Sequence, residues 1–364
     1  MSEAAVIEPD LVKPVLIMAG GTGGHIFPGL AVADELRGRK TPVIWLGGIG
    51  GLEQRLVPQH GLRLETLPIA GVRGKGIVAK IFAPLHLARA VAAARGVLKR
   101  HAPHSVLSMG GYAAAPGGIA AWLARVPLIV HEQNRIPGVT NRLLARFAKR
   151  VLTGFADVFP HGEWVGNPVR ASIAAVPAPT QRYAGRDGPL KLLVLGGSQG
   201  AQSLNSALPE VLRRRGAKLP VAVRHQCGAK HFEQARAAYM RAGIEADVVP
   251  FEDDMAAAYA WADLVICRSG ALTLAELAAA GVPAILVPFP QAVDDHQTRN
   301  AEAMVTAGGA VLVAEGDDFV KRLGTAFEAI GDRAKLLRMA EAAHTLAKPL
   351  AGKEIADACL EVTA

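Results

Sequence analysis

The sequence has few cysteines and few aromatic residues, and each shortage excludes classes of protein. Its cysteines are Cys227, Cys267 and Cys359, an odd number set far apart without a Cys-x-x-Cys pair. We therefore expect reduced thiols rather than a disulfide framework or a zinc site. Aromatic residues make up 5% of the 364 residues, and no basic tract alternates with them, which argues against a nucleic-acid partner. No compact set of metal ligands stands out, so we expect neither a metal nor a cofactor.

Signals for export and for membrane spans are missing as well. The residues before Lys13 include three acidic ones and lack the basic-then-apolar layout of a signal peptide. Two long uncharged runs, 106–124 and 277–293, contain glycine and proline, which is typical of strand–loop–helix segments. The chain is 51% hydrophobic and 20% charged, which indicates a globular protein. Its net charge of +8 favours an anionic partner, either a phosphorylated substrate or an anionic lipid surface.

The most informative stretch that is present is a glycine-rich turn, Gly20-Gly21-Thr22-Gly23-Gly24-His25. It follows an apolar run that predicts a buried strand, and residues 30–36 beyond it have the period of a helix. Backbone N–H groups in such a turn can bind phosphate or developing negative charge, although any doubly wound fold also needs a structural turn there. The spacing is not Gly-x-Gly-x-x-Gly, the second strand ends in Gly47-Gly48 without an acidic residue there to hold an adenosine ribose, and the chain has no Gly-Lys-Ser/Thr. These absences argue against a nicotinamide oxidoreductase and a P-loop NTPase.

Apolar strands alternate with helical stretches along the whole chain, and the pattern starts again halfway. At an offset of 176 residues, Gly20, Gly21 and Gly24 fall on Gly196, Gly197 and Gly200. This predicts an α/β protein with two Rossmann-like, doubly wound parallel-sheet domains that face each other. The predicted strands are 15–19, 43–46, 64–67, 105–108, 128–131 and 151–153, then 192–195, 222–226, 247–250, 264–267, 284–287 and 310–313.

The composition also predicts how the chain divides. The first domain is expected at 14–169 and the second at 170–347, and a C-terminal helix at about 348–364 is expected to pack back on the first. The stretch 176–189, rich in proline, alanine and glycine, is predicted to be an interdomain linker.

Two further stretches of the first half carry candidate chemistry. A second glycine turn, 109–118, follows the strand at 105–108, and two such turns at adjacent strand ends could hold a diphosphate. The alternative is tight packing of a helix on the sheet. His131-Glu132-Gln133-Asn134 ends another strand, where polar groups are expected to point toward the ligand. One histidine and one glutamate would also suffice for a surface cap.

The second half holds the most specific constellation, Cys267 to Leu277. A strand ends there, Ser269-Gly270 turns, and a helix begins whose first amides at 271–273 could bind a diphosphate. Thr273 and Glu276 share a helix face, and a carboxylate there can accept hydrogen bonds from a ribose diol. The alternative is a capping arrangement with a solvated glutamate. The polar residues of 288–300 suit sugar hydroxyls, or they form a solvated loop.

One helical stripe in the first half is apolar and flanked by basic residues. Its apolar members are Ile77, Val78, Ile81, Phe82 and Leu85, and the basic ones are Arg73, Lys75 and Lys80. Both core packing and a membrane-surface patch, in which lysines meet anionic head groups, fit this pattern.

The order of these motifs resembles one enzyme family. Seven motifs taken together are similar to the MurG family of bacterial peptidoglycan glycosyltransferases. They are Gly-Gly-Thr-Gly-Gly-His at 20–25, Gly110-Gly111-Tyr112, the stretch 131–134, Gly-Asn-Pro-Val-Arg at 166–170, the turn 196–200, the stretch 268–273 and Asp295-His296-Gln297. The resemblance implies a GT-B fold with a cleft between its domains and an inverting, metal-independent transfer. It implies UDP-N-acetylglucosamine as donor, lipid I (undecaprenyl-diphospho-N-acetylmuramoyl-pentapeptide) as acceptor, and lipid II as product.

The same resemblance implies residue roles and a location. Its donor contacts fall on Thr22, Gly23, Gly24, Asn134, Arg170, Ser198, Glu252, Ala271, Leu272, Thr273, Leu274, Ala275, Glu276 and Gln297. Backbone near Phe251-Glu252 would contact the uracil. The acceptor diphosphate would lie near Gly21, Gly110, Gly111 and Tyr112. The family's membrane patch matches the stripe at 77–85, which implies a peripheral protein on the cytoplasmic face of the bacterial inner membrane, with cell-wall synthesis and division proteins as partners.

The transfer needs a base for the acceptor 4-hydroxyl and neutralisation of the leaving diphosphate without a metal. Our hypothesis is that His25 is the base, because imidazole titrates near neutral pH, with Glu132 as the second candidate. Arg170, the Ser198 turn and the amides of 271–273 would stabilise the leaving group. Other GT-B enzymes, such as a UDP-N-acetylglucosamine epimerase or a glycolipid synthase, and a non-catalytic nucleotide-binding protein remain alternatives.

Overall fold

The computed structural model describes residues 12–69, 83–197, 199–216 and 220–363. The chain divides into two compact units. The first comprises Met1–Gln133, Pro137–Val165 and Gly352–Ala364, and the second comprises Asn134–Ile136 and Gly166–Ala351. The acceptor and donor roles expected for the domains at 14–169 and 170–347 stay predictions.

The first unit is built on a seven-stranded parallel sheet in the order β3-β2-β1-β4-β5-β6-β7. Its strands are β1 Val15–Ala19, β2 Val43–Gly48, β3 Arg63–Leu67, β4 Ser105–Gly110, β5 Leu128–Glu132, β6 Arg150–Thr153 and β7 Glu163–Trp164. Its helices are α1 Gly23–Gly38, α2 Glu53–Gln59, α3 Ala83–His101, α4 Ala114–Leu123 and α5 Val139–Leu144, with α15 Ala351–Glu361 near the C-terminus. The two-residue edge strand β7 was not predicted, because so short a segment has no periodicity.

Alternation along β1 explains why both faces of this sheet are covered. Val15, Ile17 and Ala19 lie in the core cluster on one face, whereas Leu16 and Met18 lie in the cluster on the other. Successive side chains of a strand point to opposite faces, so an all-apolar strand needs helices on both. Helix α15 supplies Ile355, Ala356, Ala358 and Cys359 to one of these clusters, beside residues of α1.

The second unit is built on a six-stranded parallel sheet in the order β10-β9-β8-β11-β12-β13. Its strands are β8 Leu190–Leu195, β9 Val221–Gln226, β10 Asp247–Val249, β11 Leu264–Cys267, β12 Ala284–Leu286 and β13 Ala310–Leu312. Its helices are α6 Ala171–Ala174, α7 Pro179–Tyr183, α8 Gln202–Arg215, α9 Phe232–Ala242, α10 Met255–Trp261, α11 Ala271–Ala280, α12 His296–Thr306, α13 Phe319–Ile330 and α14 Arg333–His344. All twelve predicted strands are found, two with the predicted bounds and ten with an end shifted by one or two residues.

The linker predicted at 176–189 is wrong. This stretch lies inside the second unit and contains the short helix α7. Tyr183 is buried and donates a hydrogen bond to the Asp263 carbonyl at 2.5 Å, and Arg182 is buried and donates to the Gly281 carbonyl at 2.7 Å. The proline and alanine that suggest a linker instead begin α7 and pack it against the unit, which composition alone cannot distinguish.

Candidate functional site

The two glycine turns of the first unit contact each other through their backbones. They follow β1 and β4, which are neighbours in the sheet. Gly110 and Gly111 have φ values of +102° and +93°, a region that side chains rarely adopt. A Cβ on Gly111 would lie 2.9 Å from the Gly20 nitrogen and nearer still to the Gly20 carbonyl oxygen. Packing of the two turns therefore requires glycine, and it places both predicted anion loops side by side.

A buried glutamate that the sequence analysis missed supports the first turn. Glu53, at the start of α2, is 2% exposed and accepts hydrogen bonds from the amides of Gly21 at 3.1 Å and Gly48 at 2.9 Å. A Cβ on Gly20 would lie 2.5 Å from the Glu53 carboxylate. The Gly21 amide is thus already occupied, so an acceptor contact predicted at Gly21 cannot use that amide. The first-turn amides of α1 remain as anion donors, because a helix leaves its first N–H groups without intrahelical partners.

His25 lies on α1 beside both turns. Its half-buried ring packs over Gly110, where a Cβ would come within 3.0 Å of the imidazole. Its Nδ1 lies 2.9 Å from Oε1 of Gln133, the residue after β5. Of the neighbouring predicted residues, Thr22, Gly24 and Tyr112 are exposed, and Gly23 is partly exposed. The structure therefore brings the predicted base and the predicted acceptor loops together.

Glu132 belongs to a buried polar network rather than to the surface. His131, Glu132 and Gln133 are each at most 1% exposed, so the surface-cap alternative is wrong. Glu132 Oε2 accepts hydrogen bonds from the Gly138 amide at 3.1 Å and from Asn141 Nδ2 at 3.0 Å. These bonds satisfy a buried carboxylate. Asn141, which sequence reasoning missed, is the hub of the network.

In the second unit, Glu276 accepts hydrogen bonds from two donors. Its Oε2 accepts from the Tyr259 hydroxyl at 2.9 Å, and its Oε1 lies 3.5 Å from Arg170 Nη2. Burial raises the pKa of the Glu276 carboxyl, and the charge of Arg170 and the Tyr259 hydrogen bond oppose that rise only in part. A solvated glutamate is therefore the wrong alternative. Tyr259 is fully buried, and no sequence pattern predicted its contact with Glu276.

Helix α11 begins at Ala271 directly after the turn that follows β11. Its N-cap is Gly270, which forms no side-chain capping bond, so the capping alternative is also wrong. Ala271 and Leu274 are buried, whereas Leu272, Thr273 and Ala275 are partly exposed. Any donor contact at the two buried positions must therefore use the backbone, whose first N–H groups lie at the positive end of the helix.

Three other predicted donor residues already have partners within the second unit. Asn134 Oδ1 accepts from Asn300 Nδ2 at 3.1 Å, and Gln297 Oε1 accepts from the Phe289 amide at 2.9 Å. Glu252 is 5% exposed and forms an ion pair with Arg224 at 2.7 Å. Uracil contact by the Glu252 side chain would require that buried pair to break, which leaves only the backbone there.

Some predicted residues lie outside the described ones. These predicted residues include Ser198 and the stripe residues 77–82. Leu85, at the end of the stripe, is described and is 48% exposed. Within 12–69, 83–197, 199–216 and 220–363, no group of three or more histidine, cysteine or acidic side chains is placed to hold a metal ion. Within the same ranges, no helix has the length and apolar character needed to cross a bilayer.

Comparison with known proteins matches both units. Residues 15–153 match the glycosyltransferase family 28 N-terminal domain, and residues 191–355 match the C-terminal domain of that family. A protein of Xanthomonas campestris, named UDP-N-acetylglucosamine--N-acetylmuramyl-(pentapeptide) pyrophosphoryl-undecaprenol N-acetylglucosamine transferase, is 59% identical over 96% of this chain and 82% of its own length.

Two solved structures are also similar. MurG of Acinetobacter baumannii is 38% identical and superposes with a TM-score of 0.85 over 96% of this chain and all of its own. A UDP-GlcNAc 2-epimerase of Neisseria meningitidis superposes with a TM-score of 0.66 over the same shares, but at 13% identity this likeness shows the fold alone.

Proposed function

This chain belongs to glycosyltransferase family 28, and we propose that it transfers N-acetylglucosamine from UDP-N-acetylglucosamine to the muramyl 4-hydroxyl of lipid I, giving lipid II. The observation that carries the proposal is 59% identity, over 96% of the chain, to a transferase named for this donor and acceptor. Two parallel-sheet units confirm the predicted GT-B fold class. The comparisons favour transfer over the epimerase alternative, which shares only the fold.

We assign the donor to the second unit. The first-turn amides of α11 and the charge of Arg170 would hold the UDP diphosphate, and they would neutralise it as it leaves without a metal. Glu276 would accept hydrogen bonds from the ribose diol, since Arg170 and Tyr259 fix its carboxylate on a partly exposed helix face. Asn134 and Gln297 would contact the sugar, which is the role that the family resemblance implies for them.

We assign the acceptor and the base to the first unit. The paired glycine turns would hold the lipid diphosphate near the N-terminus of α1. His25 is the better candidate base because its half-buried ring stands beside these turns. Glu132 is 1% exposed and its Oε2 already accepts two hydrogen bonds, which supports a positioning role for it.

A direct assay tests both assignments. Labelled N-acetylglucosamine should pass from its UDP donor to a short-chain lipid I analogue, with EDTA present, and omission of the acceptor should leave the donor intact. His25→Ala should lower kcat by about 100- to 10,000-fold, the range for a lost general base. Release of labelled sugar without acceptor, or inhibition by EDTA that magnesium reverses, would contradict the proposal. Near-normal turnover of His25→Ala under saturating donor would transfer the base role to another residue.

We further propose that the protein acts as a peripheral protein at the cytoplasmic face of the inner membrane, where a lipid-linked acceptor is found. The net charge of +8 supports this, and so do exposed apolar side chains on α3 and α4. Leu87, Trp122 and Leu123 are 37%, 54% and 49% exposed, and Leu87 and Leu123 line one apolar groove. Such a surface can enter the interface while basic residues meet anionic head groups.

Binding to phosphatidylglycerol vesicles measures this association. Leu123→Asp should reduce cosedimentation, and added salt should weaken the remainder. The matched control is Met240→Asp, because Met240 is 72% exposed on α9 in the other unit and should not matter. Equal loss in both variants would refute a role for the α3–α4 surface. We also propose cell-wall synthesis and division proteins as partners.

A further inference from the structure

The amide of Gln133 joins two histidines of the first unit. Its Oε1 lies 2.9 Å from His25 Nδ1, and its Nε2 lies 3.0 Å from His131 Nδ1. The same Nε2 donates to the His131 carbonyl oxygen at 3.1 Å. Gln133 and His131 are both essentially buried, whereas the His25 ring is half-buried. A neutral amide thus connects a fixed internal group to the histidine beside the glycine turns.

The carbonyl of His131 determines which way this amide faces. A carbonyl oxygen only accepts hydrogen bonds, so the NH₂ end of Gln133 must face it, and the oxygen must face His25. An amide oxygen also only accepts, so His25 Nδ1 must carry the hydrogen of the 2.9 Å bond. In neutral His25 the other ring nitrogen, Nε2, then has the lone pair.

The rest of the network keeps the amide in this orientation. Asn141 Nδ2 also donates to the His131 carbonyl, at 3.1 Å, and Asn141 Oδ1 accepts from the Ser108 hydroxyl at 3.0 Å. A flip of the Gln133 amide would place its oxygen against the buried carbonyl oxygen of His131, so two acceptors would face each other without a hydrogen. Because unpaired buried polar groups are costly, the network holds one arrangement.

We propose that Gln133 is a positioning residue that fixes His25 as the Nδ1–H tautomer, so that Nε2 is the atom that accepts the acceptor's proton. This rests on the proposed role of His25 as base. In the transfer, the acceptor oxygen forms its bond to the sugar C1 as the C1–phosphate oxygen bond breaks. The hydroxyl proton moves to His25 Nε2, and the electron pair of the broken bond leaves with UDP. The imidazolium keeps its Nδ1–H bond to Gln133.

A neutral partner suits this step better than a carboxylate would. A carboxylate beside His25 would favour the imidazolium and keep the ring protonated before reaction. The Gln133 amide orients the ring without adding a charge, and in the neutral ring the Nε2 lone pair can accept a proton.

Nitrogen NMR of the wild-type protein measures the tautomer directly, and a variant serves only to assign the signals. In ¹⁵N-histidine-labelled protein at alkaline pH, the His25 signals, identified by their loss in His25→Gln, should show a protonated Nδ1 and an unprotonated Nε2. Gln133→Met should move the ring toward the Nε2–H form favoured by free histidine. Gln54→Met, in the same unit but bonded to the exposed Gly50 amide, should leave His25 unchanged. An Nε2–H tautomer in the wild type would overturn the proposal.

Kinetics separate this proposal from the assignment of the base. Gln133→Met should lower kcat by about 10- to 100-fold, as loss of an outer partner of a functional histidine does, with little change in the KM for UDP-N-acetylglucosamine. In a His25→Ala background the same change should add almost nothing, because the two residues act as a unit. An additive loss would refute the coupling. Full activity of His25→Ala would refute the role of His25 as base. The NMR measurement would still test, independently, whether Gln133 fixes the His25 tautomer.

Discussion

Replacement of Gly111 by alanine tests whether the two glycine turns of the first unit are in backbone contact. Alanine must adopt a φ of +93° there, which costs about 1–2 kcal/mol for a residue with a Cβ. The Cβ would also lie 2.9 Å from the Gly20 nitrogen and 3.0 Å from its carbonyl carbon, well inside the ~3.5–4.0 Å contact distance of carbon atoms. Overpacking of this kind adds about 1–3 kcal/mol.

Gly50→Ala is the matched control, because Gly50 has a φ of +81° but nothing within 4 Å of the added Cβ. Gly50→Ala should lose only the free energy of placing alanine at a positive φ. The difference in unfolding free energy between the two variants, about 1–3 kcal/mol, therefore measures the clash of the Gly111→Ala Cβ with Gly20. Both glycines lie in the same unit, so contributions from the other unit cancel. The difference corresponds to roughly 2–12 °C in the unfolding temperature of a unit of this size, which calorimetry resolves. Equal stability of the two variants would refute the contact between the turns.

Three further predictions concern the carboxylates of Glu53 and Glu276. Glu53→Gln replaces an oxygen with an NH₂ group that faces the amide of either Gly21 or Gly48. Because two donors then face each other, the free energy of unfolding measured by urea titration should fall by about 1–3 kcal/mol. An unchanged urea midpoint would contradict the two hydrogen bonds. Tyr259→Phe removes a hydrogen bond to Glu276 that is worth about 1.5–3 kcal/mol when the carboxylate is charged. This should raise the pKa of Glu276 further and increase the KM for UDP-N-acetylglucosamine most at low pH, whereas a pH-independent change would contradict it. The third prediction is for Glu276→Gln. Since the folded-state pKa of Glu276 lies above its usual 4.5, the contribution of this group to stability is present below 4.5 and is lost as the pH rises through the folded pKa. Glu276→Gln should therefore unfold at a higher temperature than the parent at neutral pH but not below pH 4.5, even as donor binding falls; the reverse order would refute the sign.

The sequence by itself determined the fold class and the position of the main motifs. The strands at Val15–Ala19 and Leu264–Cys267 match their predicted bounds, because an all-apolar run between turn residues is a local signal. Glycine turns are likewise visible locally, since positive φ selects glycine at Gly111. The stretch at 176–189 shows the limit, because its composition is equally compatible with a linker and with a helix packed inside a unit.

Only the tertiary structure decided which side chains hold the site together. Glu53 and Gly21 are 32 residues apart in the chain, and His25 and Gln133 are 108 apart. Hydrogen bonds between such distant residues have no period and no fixed spacing, so no pattern along the chain can predict them. The adjacent strands β2, β1, β4 and β5 bring these groups together at the carboxyl ends of the sheet. The type and order of residues thus set what chemistry was available, and the packing of parallel strands set which groups could perform it.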